Sequence, residues 1–190
     1  EFAAKYEEIY AEWAPNEKVA MESAFGACLS GKRSFCGMKH VGLNVAADPL
    51  FTISYTGVNG GFVIGVADDP AMHSSQNEQD SRHYAKASKI PMLEPSDSME
   101  TLEMTTLAFE LSEKFDTPIF IKMCTRVSHS QSIVEEGERV EVAKEYQKDP
   151  AKYIMMPGNA KKRHPIVEER TRALIALAET DEINRVETGE

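Results

Sequence analysis

The six residues Phe62–Ala67 (FVIGVA) form an apolar run of strand length without polar alternation, which suits a strand buried on both faces of a parallel sheet. Pro118–Cys124 (PIFIKMC) and Arg33–Met38 (RSFCGM) have similar character, and longer helical patterns separate the three. This alternation predicts an α/β domain with a mainly parallel sheet flanked by helices. We expect a further strand at Ile9–Trp13 (IYAEW). A helix then opens at Pro15-Asn16-Glu17, with Asn16 as N-cap, and runs to about Gly31. Downstream, another helical stretch begins near Leu43, and Asn59-Gly60-Gly61 marks a turn. The long polar loop DDPAMHSSQNEQDSR follows Ala67. A short helix to about Lys89, a strand near Pro91–Leu93 and a helix capped by Ser96 or Asp97 and ending near Phe115 complete the pattern.

After Thr125 the character changes. Residues 135–163 are charged and carry Pro150 and Pro157 with little strand signal, and the acidic stretch Glu135–Glu145 reads as a solvated helix face or linker. Residues 165–180 are amphipathic, with Ile166, Leu174, Ile175 and Leu177 as apolar positions. We therefore expect one domain at 1–132, then a linker and helix at 133–190 leading to a following domain. The opening EFAAKYEEIYAEW reads as the middle of a structure, so a truncated N-terminus is expected.

The net charge of −10 disfavours nucleic acid and anionic membrane surfaces as partners, because both would repel it. Cys28, Cys36 and Cys124 are scattered without a Cys-x-x-Cys pair. Alone they build neither an iron–sulfur cluster nor a zinc site, and we expect reduced, mostly buried thiols. No metal ligand set is assigned. With no bilayer-length apolar run and no secretory signal, the expected location is cytoplasmic.

In an open parallel sheet, ligands bind beyond the carboxyl ends of the strands. Asn16-Glu17, Lys39-His40 and the loop from Asp68 to Asp80 are expected there. Each also has a structural explanation. Glu17 suits the first turn of a helix, His40 a satisfied polar residue in a loop, Lys39 a surface charge, and the serines, Asn77 and Gln79 a solvated loop. Ala20, Ala24, Gly26 and Ala27 give the first helix a small-residue face that another element or a ligand can approach.

The segment NEKVAMESAFGACLSGKRSFCGMKHVGLNVAADPLFTISYTGV, the loop region VADDPAMHSSQNEQDSRHYAKASKIPMLEPSD and the string TRVSHS resemble one family over residues 8 to about 132. It is that of the thiamine-diphosphate-dependent indolepyruvate:ferredoxin oxidoreductases, specifically the aminopyrimidine-binding domain of their large subunit. The resemblance implies a fragment of an enzyme that oxidatively decarboxylates aryl pyruvates to arylacetyl-CoA and reduces ferredoxin. It implies that Glu17 shares a proton with N1′ of the thiamine diphosphate pyrimidine, with Gly26 nine residues on in the same cofactor-binding pattern. Glu22, whose spacing does not match, is left a structural or supporting role. Lys39 and His40 match a family motif and are expected beside the thiazolium or the substrate carboxylate, where a cation and a donor stabilise negative charge. Ser74, Ser75 and Asn77 match the family loop and are assigned to cofactor binding.

The resemblance further implies coenzyme A as acyl acceptor, a smaller beta subunit, and a diphosphate-binding domain on the same or a neighbouring chain. Mg²⁺ and iron–sulfur clusters are expected in the full enzyme but not on this segment, which has no GDG…N module and no cysteine-rich region. The isolated segment is accordingly expected to be inactive. The alternatives are a non-catalytic assembly module of the same fold, or a related enzyme for another 2-oxoacid such as pyruvate or 2-oxoglutarate.

Overall fold

The computed structural model describes residues 3–135, 137–180, 182–184 and 188–189. Within these, four strands form one sheet in the order β1-β2-β4-β3, and every pairing is parallel. The strands are β1 (Ser34–Lys39), β2 (Phe62–Asp68), β3 (Met92–Leu93) and β4 (Ile119–Cys124). The helices in chain order are α1 (Glu17–Leu29), α2 (His40–Val45), α3 (Ala47–Thr56), α4 (Arg82–Ser88), α5 (Ser98–Phe115), α6 (Thr125–His129), α7 (Pro150–Tyr153) and α8 (Pro157–Thr180). The expected α/β architecture with a parallel sheet flanked by helices is what the chain adopts.

Strand alternation divides the core. Cys36, Phe62, Ile64, Val66 and Phe120 point to one face, where they meet Met21 of α1, Leu43 of α2 and Leu50 and Ile53 of α3. Val63, Ile119 and Ile121 point to the other and meet Met104, Ala108 and Leu111 of α5. The two faces explain why FVIGVA carries no polar residue: β2 is central and covered on both sides. Asn16 caps α1 by accepting from the Val19 N–H, and Asp97 caps α5 by accepting from the Glu100 N–H, which resolves the Ser96/Asp97 alternative.

Three expectations are corrected. Ile9–Trp13 is not a strand. No sheet edge pairs with it, and Tyr10 and Trp13 are 87% and 94% exposed. β propensity without a ladder partner does not make a strand. His40 is not a loop residue but the first residue of α2, and it is fully buried.

The third correction concerns the last helix. It begins at Pro157 rather than near residue 165 and carries Pro165 inside it. Its Ile166 and Ile175 are exposed, while Arg163, Val167 and Arg170 are buried. The reason is the surface it meets, which is polar. Arg163 donates to the carbonyls of Tyr55 and Thr56 and to the Asp116 carboxylate at 2.8, 3.3 and 2.8 Å. Arg170 donates to the carbonyls of Asp116 and Ser54 at 2.7 and 2.8 Å. The carbonyls of Ser54, Tyr55 and Thr56 close α3, where the helix dipole favours cations. Lys152 adds a third cation on Asp116 at 2.8 Å. Upstream, Lys144 donates its N–H to the Gly31 carbonyl at 2.9 Å, within the otherwise exposed acidic stretch. One residue of that stretch, Glu136, lies outside the described residues.

Candidate functional site

The carboxyl ends of β1, β2 and β4 lie side by side, with Lys39 opposite Ala67 and Asp68 opposite Cys124 in register. Lys39 ends β1 and is the N-cap residue of α2, so the chain turns at once from strand into helix with His40 inside. Although Glu17 does not follow a strand, α1 leads into β1, and this places its first turn above the same edge. Glu17 is half-buried, and its side chain lies directly on Gly42 of α2. A Cβ added at Gly42 would sit 2.6 Å from Glu17 Oε1 and 2.5 Å from its Cγ. Cys36, on the buried face of β1, feels the Glu17 charge. Burial first, and Glu17 second, push its thiol up to about 11.

Both ring nitrogens of His40 face backbone carbonyls. Nε2 lies 3.1 Å from the Asn77 oxygen and Nδ1 3.4 Å from the Ala67 oxygen. His40 therefore joins the end of β2 to the long loop rather than facing open solvent. Lys39 Nζ donates to the Ser74 carbonyl at 2.6 Å. Together with Met72, His73, Ser74, Ser75 and Gln76 it lines a cleft of about 490 Å³.

Two adjacent aspartates at the end of β2, missed in the sequence, organise this loop. Asp69 accepts the N–H groups of His73 and Ser74 at 3.2 and 2.7 Å. It also accepts the hydroxyls of Ser75 and Thr125, at 2.7 and 2.8 Å. The Ser74 N–H contributes most and Ser75 next to holding this carboxyl well below the usual carboxylate range. Asp68 points the other way and accepts the Ser81 N–H and hydroxyl at 3.0 and 2.5 Å. Lys122 stands between Asp68 and Glu94 at 3.8 and 3.3 Å, and Arg82 grips Glu94 with two bonds of 2.5 Å. A pair of aspartates closing a buried strand was the available signal.

The structure thus brings Glu17, Lys39, His40, Ser74, Ser75 and Asn77 to one edge of the sheet. Asn77 contributes its carbonyl to His40, while its side-chain oxygen accepts from Gln79. Gly26 does not join them. Nine residues along a helix carry it about 13 Å from Glu17 and half a turn round the axis. It sits on the exposed side of α1, with nothing within 4 Å of an added Cβ. A second cleft, of about 400 Å³ along α3 and residues 155–160, contains none of these residues. Among the described residues no three His, Cys, Asp or Glu side chains form a metal-ligating group, and no helix is long and apolar enough to cross a membrane.

The half-buried Glu17 carboxylate has no hydrogen-bond donor among the described residues, and it rests in a cradle that a Cβ at Gly42 would fill. The carboxylate is therefore open to a hydrogen-bonding partner brought to it.

Comparisons with known proteins place the chain in a family. Residues 1–185 match the family model described as pyruvate flavodoxin/ferredoxin oxidoreductase, thiamine diphosphate-binding. The chain is 46% identical over 186 residues to "Indolepyruvate oxidoreductase subunit IorA" of Archaeoglobus fulgidus, covering 96% of this chain and 30% of that protein. It is 48% identical over 185 residues to the protein of the same name from Methanothermobacter marburgensis, again covering 96% of this chain and 30% of the relative. The chain thus spans about 30% of the length of these curated relatives. Among solved structures, a 2-oxoglutarate:ferredoxin oxidoreductase from Magnetococcus marinus superposes with a TM-score of 0.63 at 14% identity. That match covers 86% of this chain and 36% of the other, and it shows a shared fold.

Proposed function

The chain belongs to the thiamine diphosphate-binding family of pyruvate flavodoxin/ferredoxin oxidoreductases, and on that premise we propose that it is the pyrimidine-binding catalytic domain of an enzyme oxidising aryl pyruvates, indolepyruvate among them. The acyl group goes to coenzyme A and the electrons to ferredoxin. The observation that carries the reading is the Glu17 carboxylate lying on Gly42, beside the Lys39-His40 turn at the carboxyl edge of the sheet.

Thiamine diphosphate, when bound, supplies a carbon nucleophile for the keto carbon and an electron sink for decarboxylation. Glu17 holds the proton at N1′ of the aminopyrimidine. Its seat on α2, half-withdrawn from water, holds the carboxyl in place for this exchange. Lys39, with the 73–76 segment beside it, receives the 2-oxoacid carboxylate through its remaining N–H groups. His40 keeps the 69–79 loop closed on β1 by its contact with the Asn77 carbonyl. Ser74 and Ser75 border the space that the cofactor and substrate share.

The diphosphate, Mg²⁺ and the iron–sulfur clusters belong in this reading to other parts of the enzyme. These include a diphosphate-binding domain on the same or a neighbouring chain, and a smaller beta subunit. Residues 1–132 form the pyrimidine-binding unit, and residues 133–190 lead toward a following domain. The enzyme works in the cytoplasm.

The test is turnover by the complete, assembled enzyme. With indolepyruvate, coenzyme A and ferredoxin, reduction of ferredoxin is expected only when thiamine diphosphate is present, and none is expected from the 190-residue segment alone. Ferredoxin reduction without thiamine diphosphate, or by the segment by itself, contradicts the reading.

A further inference from the structure

The loop between β2 and α4 is long and polar, yet it is fastened at many points. Lys39 holds the Ser74 carbonyl, His40 the Asn77 carbonyl, and Asp68 the N–H and hydroxyl of Ser81. Glu78 accepts the Ala71 N–H at 2.7 Å. Ala71 and Met72 both take the left-handed conformation, with φ of 66° and 54°. Residues other than glycine persist there only where their surroundings over-determine the backbone.

Asp69 stands at the centre of these fastenings. A carboxylate offers about four lone-pair sites. Asp69 fills them with His73 N–H, Ser74 N–H, Ser75 Oγ and Thr125 Oγ1. Three donors come from the loop, and the fourth begins the segment after β4. The lone pairs of the carboxylate are therefore consumed by donors inside the protein. Its donors fix the backbone whose Ser74 carbonyl in turn receives Lys39.

We propose that Asp69 is a positioning residue for the 2-oxoacid, holding the 73–75 backbone against Thr125 so that Lys39 and this segment line one cleft. This rests on the reading that the cleft beside Lys39 takes the substrate carboxylate. Loss of Asp69 frees four donors at once and lets the loop drift, and a displacement of about 1 Å costs on the order of a hundredfold in a positioned reaction. Asn at this position keeps one acceptor oxygen for Ser74 and Ser75. Its amide can donate to the Thr125 hydroxyl, so only the longest contact, from His73, is forfeited.

The test uses the complete enzyme with its cofactor. Asp69→Ala is expected to raise KM for the 2-oxoacid about tenfold or more, with Asp69→Asn recovering most of the loss and C2–H exchange on bound thiamine diphosphate staying within about twofold of wild type. Without cofactor, backbone amides in the 73–76 segment should exchange with deuterium faster in Asp69→Ala than in Asp69→Asn. Where Asp69→Ala does not fold, Thr125→Val, which removes one donor, should raise KM in the same direction by a smaller factor.

A KM within about twofold of wild type in the folded alanine variant, or in Thr125→Val where that variant stands in, overturns the proposal. So do equal losses of KM, kcat and C2–H exchange in the alanine and asparagine variants. Lys39→Met separates the two levels. If it leaves KM unchanged, the cleft is not the substrate site and the underlying reading fails. If it raises KM while Asp69→Ala does not, the positioning role alone fails.

Discussion

The Glu17 side chain lies on the bare backbone of Gly42, with Oε1 only 2.6 Å from where a β-carbon at position 42 would stand. Gly42 is buried and helical, so its lack of a side chain serves close approach rather than an unusual backbone. Gly42→Ala should leave the fold intact, because helix propensity favours alanine and the obstructing atoms are the mobile end of a glutamate. The carboxyl is then pushed off its seat, and kcat of the complete enzyme should fall on the order of tenfold to a hundredfold. Steady-state kinetics with a matched thermal melt check this. Unchanged kcat in a folded variant contradicts the fit.

Arg170 is 6% exposed and links α8 to the carbonyls of Ser54 and Asp116. Burial lowers its guanidinium to about 10, with the Asp116 charge opposing that shift. Arg170→Met leaves two carbonyls without their donor, and it should destabilise the complete subunit by roughly 2–4 kcal/mol. Urea denaturation gives the value, and amide exchange in α8 and at the end of α3 should report the same loosening. A change under about 0.5 kcal/mol would mean that the clasp contributes nothing beyond a surface contact.

The clasp shows where reading the sequence stops. Strands 33–38, 62–67 and 118–124, the cap at Asn16 and the helices between them follow from local pattern, because their burial is set by neighbours of ordinary apolar kind. The last helix defeats the same logic. Two of its three buried positions are arginines, chosen by the carbonyl ends of α3 and the Asp116 carboxylate, and no periodicity of apolar residues encodes that. Ile9–Trp13 fails for the opposite reason, since its residues favour a strand and no edge receives it. At the site, Lys39, His40 and Glu17 each have an ordinary structural explanation by residue type, and the family resemblance is what singles them out. Asp69 is not among them, because its importance lies in four donors that only the folded loop delivers.

Asp69 also fixes a pH dependence. Its folded carboxyl is held below its ordinary value of 3.8 by the loop N–H and hydroxyl groups. A depressed acid contributes stability that is present above its unfolded pKa and lost as pH falls through the folded one. The gap in urea midpoint between wild type and Asp69→Asn should therefore be open near neutral pH and shrink by about pH 3 and below. A gap that stays constant across that range contradicts an ionised Asp69 as the fastening group.

His40 fastens the same loop by geometry. Its ring is fully buried between the carbonyls of Ala67 and Asn77. His40→Ala leaves a cavity and takes an N–H donor from one of the two carbonyls, at roughly 2–4 kcal/mol. KM for the 2-oxoacid should rise with the loosened loop. His40→Gln, which retains a donor, should restore part of both. Equal KM values in the three proteins would separate His40 from the loop's function.

The central claim is that the Glu17 carboxyl shares its proton with the cofactor ring, and C2–H exchange on thiamine diphosphate bound to the complete enzyme tests it most directly. Glu17→Gln should slow that exchange by about a hundredfold or more while the melting temperature and cofactor occupancy stay near wild type. Wild-type exchange rates in that variant, with cofactor bound, would remove Glu17 from the chemistry.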